Sequence, residues 1–474
     1  MVLGIDLGTS SVKVVAVDAN GRIAARASRA YALDTPRPGW AEQDPESWWT
    51  ATADAVREVA KAVGSGEVRA VGFSGQMHTL VLLDDAGRPT RPAISWADAR
   101  SEAEVRRFAE RVDRRTQVEV LGNPVVTGFT GPSLRWVQAH EPDVYAASTR
   151  VALAKDYLRL RMTGVWATDV SDASATLLFD PYRRAWATGV VEVLGLDTSM
   201  LPPLIGSGEV AGTLHAEAAE ALGLPAGLPV VTGASDQAAA ACGCGLVDPG
   251  AMLVTIGSGG QVFMPLATPV ADPRLRVHLF CHAVPERWHL LGAVQNAGLA
   301  LDWVRRAFGW GWEELYARAA EVPAGAEGVT FLPYLTGERT PHMDPRARAS
   351  WAGLALSHTP DHLARAAVEG VVFAVAEAVA ACAEAGGSVE ALAVTGGGAE
   401  PALTRQILAD VTGRAVRRAD VQEASAKGAA VLAGAPMPRF ASREAEAPGP
   451  TAEAHREALV RARGVYAGWR ANFD

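Results

Sequence analysis

Short apolar runs, broken by glycines and single polar residues, dominate the chain. Residues 2–5 are apolar and end in Asp6; residues 12–17 are apolar apart from Lys13 and close at Asn20-Gly21. Runs this short between turn residues predict strands. The pair predicts a β-hairpin over residues 2–6 and 12–18, with Gly8, Thr9, Ser10 and Ser11 at its tip. A helical spacing follows: Trp48, Ala55, Val56, Val59 and Val63 lie behind Asp44-Pro45, an N-cap followed by proline at the first helical position. The stretch "VRAVGFSGQMHTLVLLDDAGRP" then predicts a strand, a loop carrying Met77 and His78, a second strand and a turn. Strands and helices alternate beyond it, which points to α/β architecture.

Near the middle, "LPVVTGASDQAAAACGCG" predicts a strand, an acidic loop and a small-residue helix. Soon after, "PGAMLVTIGSGGQVFMPLA" repeats the opening design of strand, glycine and serine loop, and strand. The recurrence predicts two similar halves, 1–244 and 245–474. The second half reads as a helix over 360–385, capped by Thr359 and ended by Gly386-Gly387. The strand "EALAVT" comes next, then the turn Gly396-Gly397-Gly398 and a helix ending near Gly413. Residues 441–450, rich in Glu, Ala and Pro, read as an exposed linker before a final helix.

Composition supports two domains, since 474 residues exceed one ordinary core. A net charge of -9 argues against a general nucleic-acid binder, which would carry a basic face. The cysteines 242, 244, 281 and 382 are too few for a disulfide framework in a chain this long. The spacing of Cys242 and Cys244 is not that of a zinc knuckle; they read as small buried thiols. No basic segment leads into a long apolar one, and the aliphatic segments are short or interrupted. No membrane contact and a cytoplasmic location are therefore expected.

The loops carry the candidate chemistry. Two glycine and hydroxyl hairpin tips, one opening each half, suit the two ends of a triphosphate, because backbone N–H groups can approach it closely. A buried carboxylate is costly unless paired or coordinated. Asp6 beside such phosphates would hold Mg²⁺, partly through water; a turn-capping role is its ordinary alternative. Asp236 follows a strand and precedes a helix, where ligands bind in α/β proteins. It reads equally as a general base for an attacking hydroxyl and as a helix N-cap. His78 in "SGQMHT" reads as a hydrogen-bonding loop residue, with Met77 packing beside it. "WADAR", residues 96–100, offers sugar contacts or a helix start.

Taken in order, "GIDLGTSSVK", "GQMH", "SWADAR", "KDYLRLRMTG", "SDQAAA", "FLPYLTGERTPH" and "TGGGAE" resemble the FGGY carbohydrate kinases. The resemblance runs from residue 2 to about Leu432, and "SGQMH" with "LTGERTPH" is closest to the xylulokinase branch. It implies two actin-like ribonuclease-H-type domains around a deep cleft, with sugar on the first lobe and ATP reaching in from the second. It also implies Asp236 as the base that takes the proton from O5 of D-xylulose, with Met77, His78 and Gln237 at the sugar. Asp6 would organise Mg²⁺. Thr9, Ser10 and Lys13 would serve the phosphates from one side, Gly257 and Ser258 from the other, and Gly298, Gly397 and Gly398 would lie along the nucleotide. The implied partners are a small sugar and ATP, and a homodimer.

Three positions depart from the family pattern. Ser258 stands where threonine is usual in the second phosphate loop. Gln237, rather than asparagine, follows the expected base, as in glycerol kinases. Ala402 replaces an asparagine near adenine in the glycerol-kinase branch. Two rivals accompany the pentulose-kinase expectation: a kinase of the same fold for another pentulose, polyol or sugar acid, and a non-catalytic ATP-binding switch of the actin superfamily, which would need no acid at position 236.

Overall fold

The structure is a computed structural model, and it describes residues 1–387, 389, 391–419, 422–440 and 442–471. The opening apolar runs form β1 (Val2–Leu7) and β2 (Ser11–Val17), which pair antiparallel as the spacing predicts. With β3 (Ile23–Ala30), β4 (Ala70–Gly75), β5 (Val210–Thr213), β6 (Pro229–Val231) and β7 (Ala234–Ser235) they build a seven-stranded sheet. Its order is β5-β6-β4-β1-β2-β3, with β7 also paired to β4. Leu3, Ile5, Val12 and Val14 are fully buried and share a core with Trp48, Val56 and Val59 of α1 (Pro45–Val63). Asp44 caps that helix by accepting from Glu46 N.

Two short helices of the first half bear on the site, α2 (Ala154–Thr163) and α3 (Asp236–Cys244). β1, β4 and β7 run parallel, so Asp6 pairs with Ser74, and Ser235 with Gly75. Asp6 and Asp236 thus emerge at the same end of one sheet, on either side of β4.

The second half repeats the plan. β8 (Ala251–Ile256) and β9 (Gly260–Leu266) form the second hairpin. Together with β10 (His278–Cys281), β11 (Trp288–Val294), β12 (Ala391–Thr395), β13 (Val416–Ala419) and β14 (Ser442–Glu446) they make another seven-stranded sheet, ordered β10-β11-β9-β8-β12-β13-β14. In both sheets the first strand pairs antiparallel with the second strand of its hairpin on one side and with a parallel strand on the other.

Two expectations change. The stretch read as a linker contains β14, which pairs antiparallel with β13 at the sheet edge; residue 441 lies outside the described residues. A charged sequence suits an edge strand, which must discourage pairing with other chains. The second change concerns apolar length. Of the remaining helices, α4 (Gly298–Phe308), α5 (Trp312–Glu321), α6 (Pro360–Gly386), α7 (Ala402–Thr412), α8 (Ala424–Leu432) and α9 (Ala452–Ala471), α6 is long and apolar enough to cross a membrane. In its most apolar stretch 89% of the residues are buried inside the fold, which makes it the central helix of the second core. Its charges escape the usual cost by pairing: Arg365 Nε donates to Glu369 Oε1 at 2.6 Å, and Arg365 Nη2 meets His455 Nε2 at 2.7 Å.

The halves interlock through α8, which belongs to the second half in sequence but packs on β1, β4 and α3 of the first. A Cβ on Gly428 would sit 1.7 Å from Ala239 O, and one on Gly243 2.0 Å from Ala424 O. The two backbones are in direct contact, which accounts for the Ala and Gly content of α3 better than any thiol chemistry. All four cysteines are free and buried. Gly428→Ala is expected to destabilise the protein by about 1–3 kcal/mol through overpacking. Gly464→Ala, where the glycine is helical with open space at Cβ, is expected to stabilise it by about 0.5–1 kcal/mol. Thermal unfolding midpoints moving in opposite directions would check the pair.

Candidate active site

One cavity opens between the halves and a second lies within the second half. The smaller, about 110 Å³, is lined from the first half by Thr9, Met77, His78, Trp96, Phe129, Asp236 and Gln237. The second half contributes Gln261, His278, Phe280, Leu291, Ala293 and Arg339. The larger, about 770 Å³, is lined by Gly257, Ser258, Gly298, Gly397 and Gly398 with the apolar walls Leu299, Trp312 and Tyr316.

The smaller cavity has an acidic end. Ser74 Oγ donates to Asp6 Oδ1 at 2.9 Å. Burial raises the Asp6 carboxyl from its usual 3.8 to about 6, against the pull of Ser74 and Lys13. Burial also raises Asp236 to about 7, and the charge of Asp6 adds to the rise. Asp236 Oδ1 has no hydrogen-bond partner. Two crowded carboxylates of this kind are suited to a cation or to a proton. Among the described residues no group of three or more His, Cys, Asp or Glu side chains gathers as a metal cluster. A cation here would therefore rest on Asp6, Asp236 and water, the manner of Mg²⁺.

The other end is neutral and aromatic. His78 Nδ1 lies 2.5 Å from Ala175 O, an acceptor only, so Nδ1 carries the proton and Nε2 is left to accept. Asn123 donates Nδ2 to two carbonyls, so its Oδ1 accepts from His278 Nδ1 at 3.0 Å and frees His278 Nε2 in the same way. Burial, with a smaller push from Arg339, lowers both histidines to about 3. His78 is held at φ 68°, an unfavourable conformation for a non-glycine residue, with its ring 3.9 Å from that of Phe129.

A buried charge network sets the backbone of Asp236. Lys155 Nζ on α2 lies 2.8 Å from Asp156 Oδ1, 3.0 Å from Asp169 Oδ1 and 3.1 Å from Asp172 Oδ2, all fully buried. Asp169 Oδ2 accepts from Ser171 Oγ at 2.5 Å, and Ser235 N donates to that same hydroxyl at 3.0 Å. Arg159 Nη1 donates to Asp156 Oδ1 and to Thr232 O. The segment leading into Asp236 is thus tied at both ends to one ion cluster. Ser425 Oγ of α8 adds a contact to Asp236 O at 3.2 Å. Ser235, not Asp236, occupies the N-cap position of α3, so the carboxylate of Asp236 is not committed to capping.

In the larger cavity the second hairpin tip rests on the start of α4. Gly298 N donates to Gly257 O at 2.8 Å, and Leu299 N to Ser258 O at 2.9 Å. A Cβ on Gly298 would lie 2.5 Å from Gly257 O. The loop, the helix N-terminus and the turn at Gly397-Gly398 converge on one space, an arrangement that favours phosphate.

Other candidates fall elsewhere. Thr9 lines the smaller cavity rather than the larger, and its Oγ1 accepts from Trp96 Nε1 at 2.8 Å. That bond gives Trp96 the cavity-facing place, while Asp98 and Arg100 of "WADAR" form a buried ion pair. Ser10 is exposed at the hairpin tip and lines neither cavity. Lys13, the cross-strand neighbour of Asp6, pairs with Glu423 at 3.1 Å, a contact between the halves, and lines neither cavity. The sugar-sized space is not confined to the first half, since β9, β10, β11 and the turn at Arg339 close it. Trp312 and Tyr316, unforeseen from the pattern, supply the wall suited to a flat base.

Comparison with known proteins agrees with this geometry. The N-terminal domain of the FGGY family of carbohydrate kinases matches residues 1–243, and its C-terminal domain residues 252–437. The chain is 40% identical over 415 residues to xylulose kinase of Escherichia coli K12, covering 87% of this chain and 85% of that protein. It is 36% identical over 436 residues to xylulose kinase of Bacillus subtilis 168, covering 91% and 87%. The crystal structure of a xyloylose kinase from Brucella ovis superposes with a TM-score of 0.93 at 34% identity, covering 99% of each chain. With two duplicated sheets, a carboxylate pair at the cleft and both domains matched, the chain belongs to the FGGY family of carbohydrate kinases.

Proposed function

We propose that the protein phosphorylates D-xylulose at O5 with ATP, giving D-xylulose 5-phosphate and ADP. The observation that carries this reading is Asp236: a buried carboxylate raised to about 7, with an unpartnered oxygen, at one end of a cavity lined by His78, His278 and Gln237. The relatives named xylulose kinase support the choice of sugar. The lobes are divided at 244/245, as the repeat of hairpins suggests.

Asp236 accepts the proton of the O5 hydroxyl as that oxygen attacks the γ-phosphoryl group. A base with a pKa near the working pH is well matched to a proton that leaves an alcohol only as the new bond forms. Met77 and Phe129 give the sugar an apolar wall, and the free Nε2 atoms of His78 and His278 accept from its hydroxyls. Gly257 and Ser258 serve the phosphates from the second hairpin, with Gly298, Gly397 and Gly398 along the nucleotide and Trp312 and Tyr316 against the base. Thr9 and Ser10 reach the γ-phosphate from the first hairpin, and Lys13 joins them by exchanging Glu423 for phosphate. Bound at Asp6, Mg²⁺ would neutralise phosphate charge and order the triphosphate. The closed site excludes water, the competing nucleophile. A cytoplasmic location and a homodimer complete the proposal.

ADP release with Mg²⁺ and ATP, measured across D-xylulose, L-xylulose, D-ribulose, L-ribulose, glycerol and gluconate, should show strong and selective stimulation by D-xylulose. Stimulation by another member alone would move the substrate and make Gln237 the first position to examine. Asp236→Asn should lower sugar-dependent turnover by about 10²–10⁴-fold. It should also raise the unfolding temperature at pH 8. A carboxyl raised in the folded state destabilises the fold once ionised, and the neutral amide removes that cost, on the order of 1–3 kcal/mol. Turnover at the wild-type rate would show that Asp236 is not the base.

A further inference from the structure

One group in the acceptor cavity has no part in the mechanism above. Arg339 enters from the second half, on the turn that follows Gly337. Among the described residues its guanidinium has neither a carboxylate within ion-pair reach nor a hydrogen-bond acceptor. Glu338, the carboxylate that acts on it from a distance, has an oxygen engaged with backbone. Oε1 accepts from Gln295 N at 2.7 Å and from Arg339 N at 2.8 Å. The residue is half-buried at the cavity wall, and its donors are unspent within the protein, so they are free to meet a ligand.

The turn that carries Arg339 is anchored to Ala293 of β11, the strand that pairs with His278 at Leu291, and all four residues line the cavity, which sets Arg339 at the histidine end. Its backbone is held firmly. Thr340 N donates to Ala293 O at 2.8 Å, Ala293 N to Thr340 Oγ1 at 3.0 Å, and Asn296 Nδ2 to Gly337 O at 2.7 Å.

The polar inventory of the cavity narrows what Arg339 can bind. Asp236 and the two histidine Nε2 atoms accept; Gln237, Gln261 and the Thr9 hydroxyl can both donate and accept. Trp96 Nε1 only donates, and its proton already goes to Thr9. That leaves Arg339 as the cavity-lining side chain with donors alone and all of them unspent. Every hydroxyl of an open-chain ketose both donates and accepts; its carbonyl oxygen alone only accepts. With O5 at Asp236, the carbonyl lies toward the opposite end of the chain.

We propose that Arg339 is a substrate-binding residue that grips the C2 carbonyl and the neighbouring C1 oxygen of an open-chain ketose, and so sets a preference for ketoses over the corresponding alditols. The inference rests on the kinase reading of the same site. A planar fork of donors fits adjacent oxygens, whereas a lysine would offer a point charge.

Calorimetric titration of the full chain with D-xylulose and with xylitol, which lacks the carbonyl, tests it without turnover. The wild type should bind D-xylulose more tightly than xylitol. Arg339→Met should weaken D-xylulose on the order of 10²-fold and xylitol by far less, so that the preference collapses. Arg339→Lys should fall between, and unfolding midpoints would verify that both variants fold. Equal weakening of both ligands, or an unchanged preference in Arg339→Met or Arg339→Lys, would overturn the proposal. A wild type that binds neither ligand would instead overturn the substrate reading on which it rests.

Discussion

Two carboxylates sharing the end of one sheet are the constraint around which the molecule is organised. Asp6 closes β1 and Asp236 follows β7, with β4 between them, so parallel register alone delivers both to one cleft. Burial raises the cost of ionising both, and the charge of Asp6 raises it further at Asp236. Such a pair costs stability, and perturbed carboxyls of this kind cluster at functional sites. The fully buried cluster of Lys155 with Asp156, Asp169 and Asp172 fits the same logic. Lys155 bridges its three carboxylates while burial pushes the Asp172 carboxyl well above the usual range, and through Ser171 the cluster holds the backbone that carries Asp236.

The second constraint is closeness. Glycine and alanine let α3 and α8 touch backbone to backbone, so a helix from the second half lies beneath the strands that carry the acids. A hydroxyl on α8, Ser425, reaches the carbonyl of Asp236 itself. Any rotation of the halves would be transmitted through this contact to the acidic end. The acceptor cavity, with walls from both halves, is complete only when they meet.

Much of this was legible in the chain. The hairpins, the helix after Asp44-Pro45, the long helix from Pro360 and the repeat of the two halves follow from period and turn residues. The small-residue tips and Asp236 were visible because they interrupt apolar runs. Less visible were residues brought in by tertiary structure. His278 and Phe280 lie within an ordinary-looking strand, and Arg339 in a turn without periodicity. The edge strand β14 was hidden by its charge. The apolar character of α6 was masked by Arg365 and Glu369, which neutralise one another inside the core. Lys13 looked free to meet phosphate, because nothing local announced Glu423, which comes from the far end of the chain.

Direct titration of the two carboxyl carbons by isotope-edited NMR tests the account at its centre. The folded protein without nucleotide or metal should show the Asp6 and Asp236 pair titrating with apparent pKa values near 6 and 7. Mg²⁺ should pull both downward, since a bound cation favours the ionised forms. Asp6→Asn should lower the value at Asp236 by removing the neighbouring charge. Two independent titrations near the ordinary 3.8, indifferent to Mg²⁺ and to Asp6→Asn, would contradict it.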